Sequence, residues 1–95
     1  MTQARSHQID ADNVWARIVR LSGETFRQKG GKAFTYEARG RTIYLHTTNR
    51  MISRTAIEKA LDLVPLANTV PVQHLTAPSY IYGILMDARV RAGDW

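Results

Sequence analysis

The chain contains no cysteine. That excludes a disulfide scaffold, thiolate-ligated zinc, iron–sulfur clusters and thiol catalysis. Nor is there an apolar run near the roughly 20 residues that a membrane-spanning helix needs, so no membrane partner is expected. The opening stretch, Met1 to Asp12, is polar and has no apolar segment before a small-residue cleavage site. No secretory signal is read there, and the expected location is cytoplasmic. Internal repeats and low-complexity segments are also lacking. What remains is 95 residues, 44% apolar and 22% charged, a composition that folds but has room for one core only.

Acidic residues are scarce in one place. Between Arg27 and Arg54 the basic residues are Arg27, Lys29, Lys32, Arg39, Arg41, Arg50 and Arg54, and the only acid is Glu37, a net of +6. Six basic and seven acidic residues make up the rest, so the whole +5 excess lies in this segment. Such asymmetry is the footprint of a surface that meets a polyanion. A solvated, charged face is the ordinary alternative.

Hydrophobic spacing divides the chain into elements. Residues 1–11 read as a tail, 12–90 as a single domain and 91–95 as a frayed end. Asp12 or Asn13 caps a first helix in which Val14, Trp15, Ile18, Val19 and Leu21 share one side, and Gly23 ends it. Three strands follow: Thr25–Gln28, Ala33–Ala38 and Thr42–Thr47. Lys29–Gly30–Gly31–Lys32 is a turn. A three-residue loop there places Phe26 opposite Phe34, both toward the core. A two-residue Arg39–Gly40 loop sets Ala38 opposite Arg41. A four-residue loop divides the faces identically: Phe34, Tyr36, Ala38, Ile43 and Leu45 inward, Thr35, Glu37, Thr42, Tyr44 and His46 outward.

Asn49 to Ser53 is read as leaving the sheet for a second helix, capped by Thr55 with Glu58 or by Ser53. Ile57, Ala60, Leu61 and Val64 recur on one face of it, and Pro65 stops it. Leu66 to Ala77 is a linker apolar enough to lie against the domain, as a short extended edge. Ser79 caps a third helix with an Ile81, Ile84, Leu85 and Ala88 stripe, and Gly83 marks a close helix contact. The expected fold class is α+β: a three-stranded antiparallel sheet packed against helices, in the order α-β-β-β-α-linker-α. The first five elements follow the order of double-stranded-RNA-binding domains. The Lys-Lys-x-Ala-Lys run of that family is missing, however, because the helix opens Ser53–Arg54–Thr55–Ala56.

Two constellations can carry function. One gathers Thr47, Thr48, Asn49 and Arg50 with Ser53, Arg54 and Thr55 at the mouth of the second helix, where free N–H groups and a partial positive charge attract anions. Helix capping is the plain alternative for those hydroxyls. The other is the polar sheet face and its turns: Arg27, Lys29, Lys32, Thr35, Arg39, Arg41, Tyr44 and His46. A two- or three-stranded ribbon can enter a major groove and read bases with Arg39, Arg41 or Thr42. Tyr44 either stacks on a base or packs across the sheet.

Enzyme signatures are weak. His7, His46 and His74 are scattered, no short motif joins a nucleophile to a base, and the Gly-Gly turn lacks P-loop spacing. Neither metal nor cofactor is expected. The sequence thus points to a non-enzymatic nucleic-acid-binding module, duplex DNA ahead of RNA. It would bind through Arg27, Lys29, Lys32, Arg39, Arg41, Thr48, Asn49, Arg50, Ser53 and Arg54. An alternative is an antitoxin-like or adaptor module acting through helix 3 and the linker. Tyr80, Tyr82 and Met86 lie outside the helix 3 stripe, so they serve either a homodimer interface or the protein's own core.

Overall fold

A computed structural model describes residues 9–95. The tail expected over residues 1–11 therefore lies largely outside the described residues; its last part is already ordered. Asp10 caps helix α1 (Ala11–Arg20), its carboxylate accepting from Asp12 N at 2.9 Å and Asn13 N at 3.3 Å. The cap thus falls two residues before Asp12, because the Asp10 carboxylate reaches two of the free donors of the first turn. Asp12 then sits inside that turn, where negative charge is favoured. Val14, Trp15 and Ile18 are buried, whereas Val19, one step around the helix, is exposed.

Strands β1 (Phe26–Arg27) and β2 (Ala33–Phe34) form a two-stranded hairpin with Phe26 opposite Phe34, the register that the aromatic pairing requires. Gln28 N donates to Lys32 O at 2.9 Å, so the loop is Lys29–Gly30–Gly31, with Gly31 at φ 96° as the left-handed residue. Strands β3 (Tyr36–Arg39), β4 (Thr42–Leu45) and β5 (Met51–Ser53) form an antiparallel sheet in that order. The class is α+β as expected, but the single sheet of three strands is replaced by two. The expected strand Ala33–Ala38 divides at Thr35, where the chain changes partners from β1 to β4.

The β3–β4 register has Ala38 opposite Ile43 and Arg39 opposite Thr42, so Gly40–Arg41 is the turn rather than Arg39–Gly40. Gly40 has φ 60°. A tight hairpin turn opening on a left-handed residue favours glycine at its first central position, and that requirement moves the loop by one residue. The two faces are unchanged, because the register shift is two. Phe34, Tyr36, Ala38, Ile43 and Leu45 are all buried. The largest departure is β5, which the sequence assigns to the approach to helix 2. Ile52 pairs with Ile43 and is fully buried.

The outer edge of β3 is closed by the turn after α1: Gly23 N donates to Tyr36 O at 2.8 Å, and Ala38 N donates to Ser22 Oγ at 2.9 Å. Tyr36 is buried, and its hydroxyl donates to Ile18 O at 2.6 Å, joining α1 to the sheet. Burial pushes its phenol well above the ordinary tyrosine range, against a smaller opposing effect of Arg89. Tyr36→Phe keeps the ring but removes this bond. An expected loss of about 1 kcal/mol follows, readable as a lower urea midpoint. An unchanged midpoint contradicts the assigned role.

Helix α2 (Arg54–Leu61) is capped by Ser53, whose Oγ accepts from Ala56 N at 3.1 Å. Thr55 is not the cap, and Glu58 receives Arg54 Nε at 2.9 Å. The linker does lie on the core, with Leu66 and Val72 buried, as a 3₁₀ turn over Val70–Val72 instead of an extended edge. Helix α3 (Pro78–Leu85) starts before Ser79: Pro78 takes the first helical position, which needs no N–H, after Ala77 at φ 54°.

The chain then breaks at Met86–Asp87 and enters α4 (Ala88–Arg91), capped by Asp87 through Arg89 N at 2.8 Å. The break leaves Ala88 exposed and puts Val90 in the core. Residues 91–95, expected to fray, are held down. Trp95 Nε1 donates to Leu85 O at 2.8 Å, and Arg17 pairs with Asp94 at 2.8 Å.

Desolvation raises the pKa of the Asp87 carboxyl. The side-chain and backbone hydrogen bonds from Arg89, with the Arg89 charge, outweigh that and hold it below the ordinary carboxylate value. A depressed carboxyl stabilises above its unfolded pKa of about 4 and ceases to do so as pH falls through its folded value. Asp87→Asn is therefore expected to be less stable than wild type at pH 6. The gap should narrow as the pH falls toward 3 in denaturant titrations; a constant gap contradicts this.

Candidate functional site

The seven cations of the basic segment have different environments. Arg27 is exposed, and its Nη1 donates to Gly31 O at 2.9 Å, bracing the Gly-Gly loop. Lys29 Nζ lies 5.5 Å from the centroid of the Tyr82 ring, so this loop leans over α3. Lys32 is exposed at the same hairpin. Arg41 is exposed at the β3–β4 turn, and Arg50 is exposed just before β5. Arg39 stacks on Tyr44, with Cζ 4.3 Å from the ring centroid, and its Nε is 3.4 Å from Glu37 Oε2.

Arg54 is the exception to surface display. It bonds to Asp12 and, at 2.9 Å, to Glu58, with its Cζ 5.9 Å from the Trp15 ring centroid. Those carboxylates, Asp12 first, hold its guanidinium pKa above the ordinary arginine value. Its fork is occupied in joining α1 to α2, and only 17% of the side chain is exposed.

The second-helix constellation is likewise divided. Ser53 pairs with Thr42 beside the Gly40–Arg41 turn, whereas Arg50 O accepts from Leu45 N at the other end of β4. Strand β5 thus separates Ser53 and Arg54 from Thr48, Asn49 and Arg50 by about 10 Å along the strand. Ser53 is used as the cap, and Thr47 Oγ1 lies 3.2 Å from Tyr80 OH. Thr48 is half-buried and Asn49 exposed. The mouth of α2 and the loop before β5 are therefore two places. They look continuous in the sequence because the three residues of β5 carry too little alternation to mark a strand.

Ion pairing orders the surface. Arg17 is paired with Asp94, Arg54 with Asp12 and Glu58, and Arg89 with Asp87 at 2.9 Å and Glu24 at 3.7 Å. Arg39 faces Glu37. Among the described residues, Arg27, Lys29, Lys32, Arg41 and Arg50 have no carboxylate within ion-pair distance. These five lie on the two hairpins and the β4–β5 loop. Lys32 and Gly40 stand at the two ends of the β2–β3 run, at most about 26 Å apart. On the ribbon the unpaired charge is thus a string and not one cluster. On the helices Arg20 and Lys59 also lack a carboxylate partner among the described residues, and Arg91 donates to Trp95 O.

Other groups offer less. His46 Nδ1 lies 2.9 Å from Thr35 Oγ1 on the exposed face, and His74 is exposed in the linker; His7 lies outside the described residues. Among the described residues, no three His, Asp or Glu side chains gather to hold a metal. A cleft of about 430 Å³ between β1 and α3 is lined by Arg27, Gln28, Tyr82, Met86 and Asp87. Its one carboxylate is already engaged by Arg89.

Tyr80 and Tyr82 on α3, and Met86 at its C-cap, pack against the protein's own core, with Phe34 and Tyr80 edge-to-face at 4.9 Å. Packing on the core is one of the two uses left open for these residues, and each also keeps part of its side chain exposed. No described helix is long and apolar enough to cross a membrane.

Glu37 was not among the predicted site residues, and Tyr44 was named on the polar sheet face without its stacking on Arg39. Their roles are nonetheless legible in the alternation: Glu37 and Arg39 share a strand face, and the observed register sets Tyr44 opposite Glu37. No family model, no curated protein and no solved structure matches this chain.

Proposed function

We propose that this domain is a non-enzymatic module that binds nucleic acid, duplex DNA ahead of RNA. One observation carries the reading: among the described residues of the hairpins and the β4–β5 loop only Arg39 faces a carboxylate, leaving Arg27, Lys29, Lys32, Arg41 and Arg50 exposed without one. On the helical side Arg17, Arg54 and Arg89 are paired, and Arg20 and Lys59 are the exposed exceptions. Leaving one sign of charge unneutralised along an exposed ribbon favours a polyanion over a single small anion. The length of the string fits within one turn of B-form duplex, about 34 Å. Thr48 and Asn49 lie beside Arg50 and can position a phosphate; Arg54 and Ser53 are withdrawn from that role. DNA is favoured because a two- or three-stranded ribbon can enter the B-form major groove, whereas the corresponding A-form groove is deep and narrow.

The test compares wild type with a variant carrying Arg27→Ala, Lys29→Ala and Lys32→Ala. Binding to a 20-base-pair duplex is measured by fluorescence anisotropy at fixed salt, with circular dichroism reporting the fold. Weaker binding by a folded variant is expected. Equal affinity, or no duplex binding by wild type, contradicts the proposal.

A further inference from the structure

Arg39 differs from its neighbours in being supported on two sides. The Tyr44 ring lies against its face at 4.3 Å, and Glu37 lies 3.4 Å from its Nε. Neither Nη atom hydrogen-bonds to a described residue, and 62% of the side chain is exposed. The planar group is thus braced by one face and one edge while its outer fork is free. Two parallel N–H donors match a flat pair of acceptors.

Phosphate is the poorer match. The Glu37 carboxylate lowers the local positive potential and repels phosphate oxygens, while the unpaired Arg41, two residues on, has no such neighbour. A neutral acceptor pair escapes that repulsion. In a duplex, that pair is the O6 and N7 edge of guanine, the commonest arginine target in the major groove. The β3–β4–β5 sheet, with outer strands about 9.6 Å apart, presents Arg39 on its exposed face, toward a groove about 12 Å wide.

We infer that Arg39, braced by Tyr44 and Glu37, is the residue that specifies a base, reading a guanine edge in duplex DNA while the unpaired cations hold the backbone. The inference rests on the nucleic-acid reading above and adds a sequence preference to it.

The test uses four probes at one salt concentration: an all-A·T duplex, the same length with central G·C pairs, that duplex with 7-deazaguanine, and a G·C-containing RNA duplex. Wild type is expected to favour the guanine duplex over the A·T duplex by about 5- to 150-fold, the range of one bidentate guanine contact. Loss of N7 should remove most of that preference without changing charge or pairing. Arg39→Gln should abolish it, while affinity for the A·T duplex falls by no more than about fivefold, the value for one full phosphate contact near 0.15 M salt, because Glu37 already offsets part of the Arg39 charge.

Equal binding to both DNA duplexes, or a guanine preference that survives Arg39→Gln, overturns the inference and leaves the non-specific reading standing. Preference for the RNA duplex overturns it in favour of an A-form ligand. Failure to bind any duplex overturns both.

Discussion

Gly83→Ala is expected to destabilise the domain by about 2–4 kcal/mol, although alanine is the better helix former. A Cβ at this position lies 2.2 Å from Arg27 O, 2.9 Å from the Arg27 carbonyl carbon and 3.0 Å from Phe34 Cε1. The first two atoms are backbone and have no rotamer to move into. Helix α3 must lift from β1, and Phe26 and Phe34, both buried beneath it, lose contact. Helix propensity alone predicts a gain of about 1 kcal/mol, so the sign of the change separates the two effects. Gly30→Ala is the control, since nothing lies within 4 Å of its added carbon. A urea midpoint lowered in Gly83→Ala and kept in Gly30→Ala fits the close helix–strand contact. A Gly83→Ala protein as stable as wild type contradicts it.

Removing Arg27, Lys29 and Lys32 together should weaken duplex binding on the order of 100-fold near 0.15 M salt. Each contacted phosphate contributes about 0.9 to the dependence of log K on log salt, and three such contributions give that factor. Little stability should be lost. Lys29 and Lys32 are exposed and have no carboxylate partner, and Arg27 contributes one exposed hydrogen bond to its own loop. Arg54→Ala should do the reverse. It breaks the joint between Asp12 and Glu58 and lowers the thermal midpoint.

The division between core and surface was readable because strand side chains alternate with a period of two. Every inward residue assigned to β2, β3 and β4 is buried. A register shift of two preserves that division, so the misplaced turn at Gly40 did no damage to it. The Phe26–Phe34 pair and the close contact at Gly83 were readable for a related reason. Each depends on one residue type, a bulky apolar group or the absence of a side chain.

Strand β5 was not readable. Three residues hold too little alternation to announce a strand, and Ser53 ends it by capping α2. That omission carried through to the site, making the α2 entrance and the Arg50 loop look adjacent. The fate of Arg54 was hidden for a different reason. Its partners Asp12 and Glu58 lie on two helices, and Asp12 reaches it only once α1 packs beside α2. The C-terminal stretch looked frayed because its anchors, Trp95 on Leu85 O and Arg17 on Asp94, are long-range contacts that leave no local pattern.

The salt dependence of duplex binding by the wild-type domain tests the central claim most directly. If the five unpaired cations of the ribbon all meet phosphates, log K should fall against log salt with a slope near −4.5, about 500-fold between 50 and 200 mM. A slope near zero, at any affinity, contradicts a polyanion held by these side chains.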